Sequence, residues 1–206
     1  MLDRLIIELD KALRTIFSPA ISVRPHPDAN LPEAALDKMD KQHAIGLMRI
    51  NHCGEVCAQA LYQGQALTAH RKNTKKELQN ASDEETEHLA WTAQRIHELG
   101  GKTSLFNPIW YIGSFAIGVT AGLLGDRQSL GFLEETENQV CAHLTSHLTK
   151  LPKQDVKSRT IIKKMIQDEK RHALLANRLG AAPLPKMAKF AMKKMAQIMT
   201  RSSYYF

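Results

Sequence analysis

The chain is sparing with cysteine, with strand-like patterning and with nucleotide-binding glycines, and each shortage closes off a class of protein. Three cysteines in 206 residues are an odd number and do not suggest a disulfide framework, so a reducing compartment is expected. No segment alternates apolar and polar residues convincingly enough to read as a strand, which leaves an all-α chain. No Gly-x-Gly-x-x-Gly or other nucleotide fingerprint occurs. Residues 105–124 contain no charge, and no acid follows Pro185. Asp3, Glu8 and Asp10 stand among the first apolar residues, which argues against a secretory signal or a mitochondrial presequence. The expected location is the cytoplasm or, peripherally, the cytoplasmic face of the cell membrane.

Composition is that of a globular protein, with 43% hydrophobic and 24% charged residues, enough chain for one domain with a substantial core. The net charge of +7 is uneven. Lys186, Lys189, Lys193, Lys194 and Arg201 account for most of it, and such a tail attracts polyanions.

Helical spacing predicts an amphipathic helix over 2–17, with Leu2, Leu5, Ile6, Leu9, Leu13, Ile16 and Phe17 on one face. Pro19, Pro25, Pro27 and Pro32 then make an extended connector. A helix is expected from about Leu36 or His43 to His70, then a turn near Arg71–Thr74 and a second helix to Leu99, where Gly100 and Gly101 stop it. A third runs to about Lys150 and a fourth from Asp155 to Gly180; the last segment, from Lys186, opposes Met187, Ala191, Met195, Ile198 and Met199 to lysines. The division is 1–35 helix and connector, 36–184 bundle, 185–206 basic amphipathic tail.

One device occurs twice. Glu85-Thr-Glu-His88 has Glu55 thirty residues upstream, and Glu169-Lys-Arg-His172 has Glu137 thirty-two upstream. Positions i and i+3 share a helix face, so each Glu-x-x-His aims a carboxylate and an imidazole the same way. The midpoint of Glu55 and His88 falls at the first expected turn, and that of Glu137 and Glu169 falls at Lys153 in the second. Antiparallel hairpins would therefore bring each lone glutamate level with its Glu-x-x-His. All four carboxylates lie on apolar stripes, where unpaired charge is costly. Two divalent cations would balance four carboxylates, which is the ligand set of di-iron and di-manganese bundles. The expected metal ligands are Glu55, Glu85, His88, Glu137, Glu169 and His172.

Neighbouring acids read differently. Glu84, Glu87 and Glu135 are expected to point outward, with Glu134 an ambiguous rival of Glu137. His52 and His143 either orient a ligand through a hydrogen bond or are ordinary core or surface histidines. His43, His70, His97 and His147 carry no expected role. Cys53 and Cys57 read as buried inert thiols beside a close helix contact marked by Gly54 and Ala58. A membrane crossing at 105–124 would put the two halves of the site on opposite sides. That segment is expected instead to lie in the membrane interface or to line an approach to the site, an ordinary buried helix being the alternative. The tail points to the same surface. Nucleic acid is not expected, because no base-stacking aromatics are interleaved with its lysines.

These residues resemble the demethoxyubiquinone hydroxylase family of ubiquinone biosynthesis, from about Leu36 to Leu184. The likeness is carried by Arg49-Ile-Asn-His-Cys-Gly-Glu55-Val-Cys-Ala with Tyr62-Gln-Gly-Gln, and by Glu85-Thr-Glu-His88. Further motifs are Glu134-Glu-Thr-Glu137 with His143, Asp168-Glu169-Lys-Arg-His172, Asn107-Pro-Ile-Trp-Tyr and Leu123-Leu-Gly125. The resemblance implies a ferritin-like four-helix bundle holding two iron ions at the six residues above, with Tyr62 joining His52 and His143 as candidates for orienting ligands. It also implies an O2-dependent monooxygenase that hydroxylates a polyprenylated methoxy-methylbenzoquinol, fed by an external reductant, NADH in that family. The implied partners are that quinol, the membrane surface and other ubiquinone-biosynthesis proteins. Cys53 departs from the small residue, often Ala, expected there. The opposing readings are a bacterioferritin-like or rubrerythrin-like protein, which oxidises iron or removes peroxide, and a metal-stabilised membrane adaptor.

Overall fold

The computed structural model describes residues 2–206, with side chains from Ile6 onward, so Leu2 and Leu5 of the first apolar stripe lie outside the described side chains. Among the described residues there are helices and no strands: α1 Leu2–Phe17, α2 Lys38–Thr68, α3 Lys72–Glu98, α4 Asn107–Leu123, α5 Asp126–Lys150, α6 Val156–Arg178 and α7 Lys186–Tyr205. Helices α2, α3, α5 and α6 form the bundle as two hairpins, α2–α3 and α5–α6, consistent with a ferritin-like fold.

Local chemistry sets the helix ends. Asp37 caps α2 by accepting from the Asp40 N–H, and Asp155 caps α6 by accepting from that of Ser158. Gly125, at φ 104°, makes the turn from α4 into α5 that a side chain would strain. The first hairpin turn is only Ala69–Arg71, shorter than the spacing predicts. Asp126, from the start of α5, accepts from the N–H groups of His70 (2.9 Å) and Arg71 (2.8 Å). A distant carboxylate thus does the capping that the turn's own residues do not.

Helix α4 carries the chain back along α2, and it approaches closely because glycines face each other. A Cβ on Gly118 would lie 2.2 Å from the Leu61 carbonyl oxygen, and one on Gly64 would lie 2.5 Å from that of Phe115. The close contact sits here and not at Gly54, where an added Cβ would meet nothing within 4 Å. The opposite face of α4 exposes Ile109, Ile112 and Leu123. No helix of the described residues is long and apolar enough to cross a membrane. Helix α7 is fastened by its end: the Tyr204 ring packs on Gly46, its hydroxyl pairs with His43 Nδ1 (2.7 Å), and Arg49 donates to its carbonyl (2.7 Å).

The connector between α1 and α2 has no regular structure but is stitched to α3 and α6. Glu87 receives the N–H groups of Val23 (3.0 Å) and Arg24 (3.2 Å) and the hydroxyl of Ser22. Glu33 accepts from both Arg95 guanidinium nitrogens, at 2.6 and 2.9 Å. Arg95, fully buried, also binds Asp155 (3.0 Å). Glu87 is therefore an anchor on an inward face, not the outward acid that helical phase alone suggests.

Candidate metal centre

Each bundle helix turns part of the doubled device toward the common axis. Glu55 comes from α2, Glu85 and His88 from α3, Glu137 from α5, and Glu169 and His172 from α6; none is more than 4% exposed. The structure brings all six together as two overlapping sets. Glu55, Glu85, His88 and Glu169 form one; Glu85, Glu137, Glu169 and His172 form the other; in each, one donor atom per residue lies within 4.8 Å of the rest. Glu85 and Glu169 belong to both, so they stand between two positions. His88 Nδ1 lies 3.0 Å from Glu85 Oε2, 3.0 Å from Glu169 Oε1 and 3.7 Å from Glu55 Oε2. His172 Nδ1 lies 3.2 Å from Glu169 Oε2 and 3.6 Å from both Glu85 and Glu137.

Four carboxylates at this depth strain against one another. Burial first, then the charges of Glu169 and Glu55, push Glu85 well above the usual carboxylate range. Burial and Glu169 push Glu137 up to about 8. Glu85 Oε1 is buried without a hydrogen-bond partner, which in a folded interior calls for a ligand. The donors are hard carboxylate oxygens and imidazole nitrogens, a mixture that suits iron or manganese. Two divalent cations would cancel the four negative charges. The residues present fit the pair of metal ions that the resemblance implies.

The acid immediately before each Glu-x-x-His completes the opposite half. Asp168, on α6, receives Nε2 of His88 (3.3 Å); Glu84, on α3, receives Nε2 of His172 (3.1 Å). Holding the proton on Nε2 turns the Nδ1 lone pair toward the centre. Glu84, still a third exposed, thus turns to a bundle imidazole and not simply outward as helical phase suggests, and Asp168, which the sequence offers only as part of a motif, has a matching place. The signal that could have found both is an acid at the same offset in the two copies. Asp168 is fully buried and also meets Arg24 Nη2 (2.9 Å) and Lys164 Nζ (2.9 Å). Tyr62 donates its hydroxyl to Glu137.

His52 and His143 do neither of these things. His52 Nδ1 and His143 Nε2 have no hydrogen-bond partner, and burial lowers both imidazoles to about 4. His143 packs its ring on His147, at 4.0 Å between centroids, and it is His147 that is bonded, to Asn51 Oδ1 at 2.7 Å, tying α5 to α2. Glu134 accepts from Asn177 and Glu135 pairs with Lys189, so neither enters the centre. The thiols of Cys53 and Cys57 are free and belong to no metal-capable set among the described residues.

Two hollows adjoin the site. One, of about 790 Å³, lies beneath α1, against α2 and α3, and has Tyr62, Gln59 and Thr86 in its wall. The other, of about 440 Å³, opens beside His172, Glu84 and Arg171.

The family model described as "Ubiquinone biosynthesis protein COQ7" matches residues 42–203. The 3-demethoxyubiquinol 3-hydroxylase of Laribacter hongkongensis is 62% identical over 205 residues, covering 100% of both chains. Those of Chromobacterium violaceum and Dechloromonas aromatica are 60% and 57% identical over 204 residues, each covering 99% of both chains.

Proposed function

The chain belongs to the COQ7 family of ubiquinone biosynthesis proteins, and on that premise we propose that it is a 3-demethoxyubiquinol 3-hydroxylase with a two-iron centre. The observation that carries this reading is the pair of overlapping Glu/His sets at the bundle axis, in a chain whose full-length relatives carry that name. Glu55 and His88 would hold one iron, Glu137 and His172 the other, with Glu85 and Glu169 shared. When bound, the metal pair would supply reduction of O2 and delivery of one oxygen atom to the quinol ring, the other leaving as water with two electrons and two protons from an external reductant.

The chain's own residues hold and shield that chemistry. Asp168 and Glu84 fix the imidazoles, and Tyr62 fixes Glu137 while forming part of the wall of the cavity under α1. That cavity would take the quinol head group. Helix α1, which exposes Ile6, Leu9, Leu13 and Phe17, packs against α4, which exposes Ile109 and Ile112. The polyprenyl tail would run along this apolar exterior, which with the acid-free, lysine-bearing α7 would rest on the cytoplasmic face of the membrane. The same surface would be available to other ubiquinone-biosynthesis proteins. Because the chain has no dinucleotide fingerprint, electrons would come from outside, with NADH as the expected donor.

The test is anaerobic reduction of the iron-loaded protein with a demethoxyquinone analogue, then O2 and mass analysis of the quinone. A +16 product supports the hydroxylase; iron mineral with unchanged quinone would select the storage reading, and metal loading without O2 consumption the adaptor.

A further inference from the structure

The two halves of the centre repeat one device but are not buttressed alike. Asp168, behind His88, is fully buried and is gripped by Arg24 from the irregular connector and by Lys164 from its own helix. Arg24 also lies over the Trp91 ring, 4.6 Å from its centroid, and that ring packs 5.3 Å from the ring of His88. Trp91 in turn donates from Nε1 to Ser22 of the connector (3.1 Å). His88 is therefore held at Nε2 by Asp168 and on its ring by Trp91, and Arg24 braces both. Behind His172, Glu84 is a third exposed, and its cationic partner Arg171, more than half exposed on the rim of the smaller hollow, is shared with Asp168 (3.3 Å). Among the described residues no aromatic ring packs on His172.

We propose that Arg24 is a positioning residue that makes the two metal positions unequal: the connector clamps the Asp168–His88 pair, so the Glu55/His88 position binds a divalent cation more tightly than the Glu137/His172 position. The proposal rests on the reading of the six residues as metal ligands. A partner that orients a ligating histidine changes metal affinity by about 10- to 100-fold when removed. Arg24 acts one bond further out, but it fixes the carboxylate whose alternative is to rotate, in a buried site where a loose carboxylate is costly.

Cobalt(II) titration of the chelator-stripped full chain, followed by its visible d–d absorption, tests this. The wild-type chain should take two equivalents in two resolved steps. Arg24→Ala should weaken the first step about 10-fold or more and bring it toward the second, while Arg24→Lys recovers part of the difference. Glu33→Gln loosens the connector at its far end on Arg95 and controls for general destabilisation: it should lower the unfolding midpoint and leave both steps in place. Two equal steps in the wild type, an unchanged first step in Arg24→Ala, or an equal loss at both steps would each overturn the inference. Failure of the wild type to bind cobalt at all would instead remove the metal-site reading beneath it.

Discussion

A methyl group added at Gly118 and one added at Gly113, five residues earlier on α4, should move stability in opposite directions. At Gly118 the new Cβ would lie 2.2 Å from the Leu61 carbonyl oxygen, 2.9 Å from its carbon and 3.0 Å from its Cα. These are backbone atoms inside α2, so no rotamer change relieves them, and the helices must separate by more than 1 Å to reach ordinary contact. Overpacking of this kind costs about 1–3 kcal/mol, and the rigid neighbour places Gly118→Ala near the upper figure. At Gly113 the Cβ meets nothing within 4 Å. There an exposed helical glycine becomes alanine, worth about 0.5–1 kcal/mol in favour of the fold. Urea unfolding of the metal-free proteins should separate the two variants by about 3–4 kcal/mol, and each kcal/mol corresponds to about 2–4 °C in a chain this long. Equal stability of the two variants, or a stable Gly118→Ala, would refute the close glycine-mediated docking of α4 on α2.

The shared membership of Glu85 predicts a difference in metal count. Glu85→Gln should lose both ions and Glu55→Gln only one, read by elemental analysis after dialysis, with hydroxylation lost in both; equal counts would contradict the overlapping sets. Asp126 gives a pH signature. Burial raises its carboxyl, but the N–H groups of His70 and Arg71 outweigh this and hold it below the usual range. A carboxylate depressed in the fold contributes stability that is fully present above its unfolded value of about 3.9 and is lost as pH falls through the folded value. Asp126→Asn should therefore be less stable than the wild type at pH 7, with the gap closing below about pH 4; a gap that persists undiminished at pH 2 would show that the capping carboxylate is not its source.

Much of the centre is legible in the sequence because it is built from short-range regularities. Three-residue spacing puts Glu85 with His88 and Glu169 with His172 on single faces, and equal distances from two turns align Glu55 and Glu137 with them. Those rules need only helix geometry and hairpin closure, and the structure does bring the six side chains together. The helices themselves follow from the same periodicity, with ends displaced by a few residues where a distant group such as Asp126 takes over a cap.

Tertiary structure decided what lies one step away from the ligands. Glu84 and Asp168 sit about 100° around their helices from Glu85 and Glu169, a direction that faces water on an isolated helix but faces the neighbouring helix's imidazole here. Glu87 reads as outward for the same reason until residues 22–24 fold over it. The doubled Glu-x-x-His and the mirrored turns point to the six side chains that meet at the bundle axis. Which half is braced by Arg24 and which opens on a hollow depends on contacts spanning 144 positions in the case of Arg24 and Asp168, and no local pattern encodes a contact between an irregular connector and a helix that distant in the chain.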